Sequence, residues 1–214
     1  MKELEHRSYQ CEVRAEGTEE GNIIIGRPIV YGSRTDIGYF DEVIEPGALD
    51  KTDLRDVRFL VNHDFNKIPL ARSRRNNGNS TMLLSVDDQG MNIRVKLDIE
   101  NNSEARALWS AVSRGDISGM SFAFGVNDEE WDDIESEHPL RRIKEISSVV
   151  EVSAVTFPAY EATEIYARSK EALENARQTV ETARQQRANE VETSKETEKE
   201  LLLLKERTKI LQLL

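Results

Sequence analysis

The chain has 214 residues, 29 Lys/Arg against 40 Asp/Glu, and a formal net charge of −11. That length suits one domain with an appendage, and the acidic balance argues against a nucleic-acid binder that works through a general basic face. A single cysteine, Cys11, excludes an internal disulfide and fits a reducing compartment or a fold that does without bridges. No apolar run approaches the roughly 18 residues of a membrane span, and Met1 to Arg7 carries no apolar core of a secretory signal.

Residues 8–16 read as a first strand and 18–22 as a turn. Ile23 to Tyr31 is a β-branched strand interrupted by Gly26 and Pro28. A loop over 32–38 leads to a short strand at Phe40 to Ile44, and Pro46-Gly47-Ala48-Leu49 reads as a turn into a short helix. Val57 to Val61 is apolar and β-prone, and ends at Asn62-His63-Asp64. After a polar turn over 72–80, Thr81 to Val86 and Met91 to Ile99 predict a hairpin around Asp87-Asp88-Gln89-Gly90. Ser103 is a candidate N-cap for a helix over Glu104 to Ser113, with Gly115 as its stop. Residues 127–139 read as an acidic solvated loop. Arg141 to Ile146 and Val149 to Phe157 read as two further strands, ending at Pro158-Ala159-Tyr160. About seven short strands with few helices predict a mainly β (α+β) domain, a small antiparallel β-barrel with few peripheral helices.

A compositional boundary falls at Arg168. All five prolines and all eleven glycines precede it, and the last aromatic residue is Tyr166. Residues 169–214 hold nine basic and nine acidic residues, so of the chain's 29 and 40 the first 168 residues keep 20 and 31, and with them the whole net charge. The expected division is therefore a domain over 1–168 and a charged helical tail over 169–214. Leu173, Ala176, Val180 and Ala183 follow 3-4-3 spacing before Arg187 interrupts, a weak coiled-coil pattern with an apolar end at Leu201 to Leu204 and Ile210 to Leu214. A solvated or partly disordered tail and a helix that associates with another helix are equally compatible with it.

Chemistry concentrates on Ile117 to Gly125. As a strand, it places Gly119, Ser121, Ala123 and Gly125 on one face and Met120, Phe122, Phe124 and Val126 on the other. The bulky face suits a core. The small face leaves room for a backbone to approach Ser121 closely. Ser118 is a competing nucleophile, but lies on the opposite face. A serine hydroxyl needs a base, usually His, and often a third group that holds the imidazole. His63 follows an apolar strand and is either that base or a strand-end histidine. His6 falls in a segment expected to fray, and His138 in the acidic loop. Glu151 shares its predicted face with Val149, Val155 and Phe157, and a carboxylate there needs a partner. A salt bridge to Arg141 or Arg142 and a hydrogen bond to the His63 imidazole both meet that need. Zinc-ligand spacing is absent, as are phosphate-binding glycine loops and G-x-S-x-G; no metal or cofactor is expected.

Taken together, several ordered pieces resemble the prohead maturation proteases of tailed phages of the HK97 type, serine proteases related in fold to the herpesvirus assembly protease. The pieces are Gly26 with Ile29-Val30-Tyr31, Glu45-Pro46-Gly47-Ala48, Asn62-His63-Asp64, Gly115 to Phe122, and Glu151-Val152-Ser153 followed by Val155 to Tyr160. The resemblance covers residues 7–168 and implies Ser121 as nucleophile, His63 as base and Glu151 as third member, with Gly119 and Ala123 clearing the substrate's approach. Ala123 stands where many members have Gly. The resemblance further implies an endopeptidase working inside the immature capsid in the host cytoplasm. Its partners would be a scaffolding protein or the scaffold segment of the major capsid protein, and its own chain, with self-association possible and no nucleic acid or membrane involved. The tail would then be a docking arm removed by self-cleavage. The competing expectation is a non-catalytic assembly protein that retains the protease fold.

Overall fold

The computed structural model of the chain describes residues 4–10, 13–18, 21–156, 170–187, 189–190 and 193. The chain divides into two compact units, Met1–Ser169 and Lys170–Leu214.

In the first unit, eleven strands and one helix follow in the order β1 (Glu5–Gln10), β2 (Arg14–Thr18), β3 (Gly21–Val30), β4 (Thr35–Asp36), β5 (Asp41–Ile44), β6 (Arg58–Val61), β7 (Ala71–Arg72), β8 (Met82–Asp87), β9 (Gly90–Leu97), α1 (Ser103–Ser113), β10 (Gly119–Asp132) and β11 (Leu140–Val155). They form two sheets. The larger runs β1-β10-β11-β5-β4, with β6 also on β11 and β7 on β6; the smaller runs β2-β3-β9-β8.

The domain is mainly β, as expected, but the closed antiparallel barrel of about seven strands does not form. No hydrogen-bonded ladder joins the two sheets among the described residues. Nor is the pairing all antiparallel. One edge of the long β11 carries two parallel partners in succession, β5 against Leu140 to Ile143 and β6 against Glu151 to Ala154. The two strands expected over 141–157 are, through Val155, this one strand, and the acidic stretch is a loop only over residues 133–139. Through Asp132 it continues β10 in antiparallel register with β11, with polar side chains exposed along a strand that pairs on one edge.

Other elements keep their expected places. The interruption at Gly26 and Pro28 is a register shift between Gly26 and Ile29 in the β3–β9 ladder. The β8–β9 hairpin turns at Gly90, whose φ of +132° and close approach to Ile29 O (2.0 Å from where a Cβ would lie) require glycine. Residues 46–51 form turns and no helix. The cap of α1 is Asn102, one residue earlier than expected: its side chain accepts hydrogen bonds from the N–H groups of Glu104 and Ala105, partnering two of the donors a helix start leaves open.

One core is shared by both sheets and α1. It takes Ile24, Met91, Ile93 and Val95 from the smaller sheet, Met120, Phe122, Phe124, Val152 and Ala154 from the larger, and Leu108 and Val112 from the helix. The alternation of β10 is realised here. Met120, Phe122 and Phe124 are fully buried, each contributing roughly 1.5–3 kcal/mol through removal of apolar surface from water, which turns the opposite face outward.

In the second unit, residues 170–187 form a helix, α2. Along it Leu173 is buried, Ala176 and Val180 are half-buried and Ala183 is exposed. The apolar end expected over 201–214 lies outside the described residues, as do Phe157 to Tyr160. No helix among the described residues is long and apolar enough to cross a membrane.

Candidate active site

Strand β6 delivers a histidine to the outer face of the larger sheet through a tight reversal. Immediately after Val61, Asn62 and His63 both adopt left-handed backbone angles, with φ of 51° and 54°. Each such residue costs about 1–3 kcal/mol and persists where its surroundings over-determine it. Those surroundings are specific here. The Asn62 N–H donates to Ala154 O at 3.0 Å. The Asn62 side chain donates to Thr156 Oγ1 at 3.1 Å and accepts from the Thr156 N–H at 2.9 Å. The His63 N–H donates to Ser153 Oγ at 3.1 Å.

The imidazole then lies between a hydroxyl and a carboxylate. His63 Nε2 is 2.5 Å from Ser121 Oγ, and His63 Nδ1 is 2.5 Å from Glu151 Oε1. A carboxylate only accepts, so Nδ1 carries the proton and donates to Glu151. Nε2 then keeps its lone pair toward the serine. Ser153 Oγ donates to Glu151 Oε2 at 2.7 Å, fixing the carboxylate by its other oxygen. One hydroxyl therefore anchors both the His63 backbone and the acid.

Strand register explains the convergence. Opposite residues in an antiparallel pair share a face, and β10 and β11 align Ser121 with Ser153 and Ala123 with Glu151. The next pair is Phe124 with Val149, so Val150 is an extra residue between them. This β-bulge sets Glu151 and Val149 on opposite faces. Val149 joins the core, which corrects the expectation that the two share a face. Neither arginine reaches Glu151: Arg141 pairs with Glu5, Glu42 and Glu129, and Arg142 with Glu45 and Asp132.

Strand β1 flanks the site along the other edge of β10, in the register His6–Ala123 and Ser8–Ser121. His6, expected in a frayed terminus, packs edge-on against His63 with ring centroids 4.6 Å apart. The Arg7 carbonyl is a second acceptor for the Ser121 hydroxyl, at 2.9 Å. The Ser8 hydroxyl is buried and has no hydrogen-bond partner among the described residues. An ion cluster ties β1 down. Arg7 donates to both oxygens of Glu42 at 2.6 Å and to Glu5 at 2.7 Å, and Arg141 joins both acids. Burial pushes the Glu5 carboxyl up, but the hydrogen bond from Arg141 and the charges of Arg7 and Arg141 outweigh it and hold it at about 2. Burial works against the charge on Arg7 and Arg141 too, yet their carboxylate partners keep both guanidinium groups more firmly protonated than usual.

Of the other expected positions, Gly119 and Ala123 are buried on the Ser121 face, with both edges of β10 already paired there. Ser118 is exposed just before β10. His138 lies apart from the site, its Nε2 3.1 Å from Asp41 Oδ1. Ser153 was legible only as a letter beside Glu151. Nothing local in the sequence marks His6 and Arg7, which reach the site through the pairing of β1 with β10.

A search of solved structures finds the capsid assembly protease gp21 of bacteriophage T4, 10% identical, with a TM-score of 0.43, covering 71% of this chain and 96% of that one. No curated protein sequence matches. The model of a known family, the caudovirus prohead serine proteases, matches residues 9–178. That span takes in β2 to β11 and, with them, the serine, the histidine and the glutamate that meet on the outer face. The chain is a member of the caudovirus prohead serine protease family.

Proposed function

We propose that the chain is the endopeptidase of capsid maturation, with Ser121 as nucleophile, His63 as general base and acid, and Glu151 as the residue that orients the imidazole. The observation that carries this reading is the single imidazole bonded to Ser121 Oγ through one nitrogen and to the Glu151 carboxylate through the other. Ser121 Oγ attacks the scissile carbonyl while its proton passes to His63 Nε2. The tetrahedral intermediate collapses with cleavage of the C–N bond, and His63 returns the proton to the leaving amine. Water then hydrolyses the acyl-enzyme by the same route. Glu151 holds the Nδ1–H tautomer and stabilises the imidazolium. Gly119 and Ala123 bracket Ser121 without bulk on its own face, which favours close approach of a peptide backbone once the buried serine is uncovered.

The substrates in this reading are the scaffolding protein or the scaffold segment of the major capsid protein, within the immature capsid in the host cytoplasm, and the protease chain itself. Residues 169–214 serve as a helical arm that docks on those partners, by helix pairing, and is removed by self-cleavage. A mass-spectrometric time course under assembly conditions is expected to show loss of the tail; a persistently full-length chain overturns that part. The central test is coexpression with the cognate capsid and scaffolding proteins. Cleavage is expected with the natural chain and lost with Ser121→Ala and His63→Ala. Persistent cleavage by Ser121→Ala overturns the assignment of the nucleophile.

A further inference from the structure

The fold brings together two histidines that lie 57 residues apart in the sequence. His6 Nδ1 is 3.4 Å from His63 Nδ1 and 4.0 Å from Glu151 Oε1, and the last two are 2.5 Å apart. The three atoms all lie within 4.0 Å of one another. Imidazole nitrogen and carboxylate oxygen are the donors preferred by divalent first-row metals, and zinc binds them at about 2.0–2.2 Å. A tetrahedral ion with bonds of that length has ligand atoms roughly 3.3–3.5 Å apart. The His6–His63 separation already meets this, and the other two need shifts of under about 1 Å. Glu151 is preset as a ligand: Ser153 holds its Oε2, leaving Oε1 toward the histidines, the kind of outer hydrogen bond that orients metal-binding carboxylates. The acid is fully buried, whereas His6 and His63 keep 19% and 10% of their side chains exposed, so entry is from the His6 side.

We infer that His6, His63 and Glu151 form a binding site for a divalent first-row metal ion, zinc in particular, and that its occupation switches off the hydrolytic site. Binding rests on the geometry alone; the switching rests on the proposed role of His63. A metal at Nδ1 takes the position of the proton now shared with Glu151. The neutral imidazole then carries its proton on Nε2, which has no lone pair left for the Ser121 hydroxyl, and Glu151 is diverted from the imidazole to the ion. Removal of the metal restores the Nδ1–H tautomer. No spacing along the chain reveals the arrangement, because it spans β1, the turn after β6, and β11.

The test uses zinc chloride and the full chain carrying His138→Ala, which removes the separate exposed cluster of His138 with Asp36 and Asp41. Calorimetry on that chain with Ser121→Ala, incapable of self-cleavage, reads binding without reference to activity. One zinc per chain is expected, with affinity falling at least tenfold on His6→Ala. Absence of binding, or equal binding by both chains, overturns the site. Cleavage of the capsid substrate by the Ser121 form is expected to be inhibited by zinc chloride and restored by a chelator. His6→Ala, compared with its own zinc-free rate, is expected to need at least tenfold more zinc. Zinc bound without inhibition overturns the switching alone. His6→Phe keeps a ring against His63 and replaces His6→Ala if that variant does not fold.

Discussion

At Ser153 a single hydroxyl accepts from the His63 backbone and donates to Glu151. Ser153→Ala removes both bonds and strips a buried carboxylate oxygen of its donor, a loss of about 1–3 kcal/mol. Expressed in the transition state, that is about a ten- to hundredfold lower kcat with KM little changed, measured on a peptide from the capsid substrate. Glu151→Gln keeps the size of the side chain, but presents an amide able to donate to Nδ1, which favours the tautomer with its proton on Nε2. Activity is expected to fall about 10⁴-fold with the fold intact by circular dichroism. Ser8→Ala has the opposite sign in stability: it deletes a buried hydroxyl that has no partner among the described residues, and is expected to raise the free energy of unfolding by about 1 kcal/mol in a urea titration. Ser121, His63 and Glu151, which the structure brings together, were legible as candidates because few residue types can serve as nucleophile, base and orienting acid and the chain has only three histidines. Their supports were not. Serine is common, and the left-handed turn at Asn62-His63 is a tertiary outcome, set by bonds to Ala154, Ser153 and Thr156.

At the scale of elements, β10 was legible and its neighbours were less so. Alternation of small and bulky residues over 119–124 predicts a strand with one core face, and the core takes Met120, Phe122 and Phe124. The bulge at Val150 was not visible, since an extra residue in one strand is defined only against its partner. Periodicity also reads poorly where an acidic strand is half exposed, which is why the outer half of β10 resembled a loop. The placement of β1 depends on charge. Arg7 and Glu42 are buried at 7% and 1% exposure, and Glu42→Ala removes two of the carboxylate bonds of Arg7, which keeps Glu5, and one contact of Arg141. Removing one partner of a buried pair costs about 3–5 kcal/mol, to be read as a lower urea midpoint, whereas Asn102→Ala at the cap of α1 is expected to cost only about 1 kcal/mol.

For the whole molecule, the ion cluster that fastens β1 to β5 and β11 predicts sensitivity to acid. The Glu5 carboxyl is held at about 2 against an ordinary 4.5. A carboxyl depressed in the folded state contributes stability that is fully present above its ordinary value and is lost as pH falls through the folded one. Thermal unfolding is therefore expected at progressively lower temperature between about pH 4.5 and pH 2, and Glu5→Gln is expected to be less stable at neutral pH but to flatten that slope. The net charge of the chain, −11, resides wholly in residues 1–168, and residues 169–214 are electrically balanced.

Ser121 and Glu151 have no exposed surface. A fluorophosphonate therefore reaches the hydroxyl only in molecules in which the structure around it has opened. At high reagent concentration the labelling rate of Ser121 is expected to level off at the opening rate instead of rising in proportion, while a denaturant pulse abolishes labelling by scattering the site. The plateau turns a buried serine into a clock for local opening.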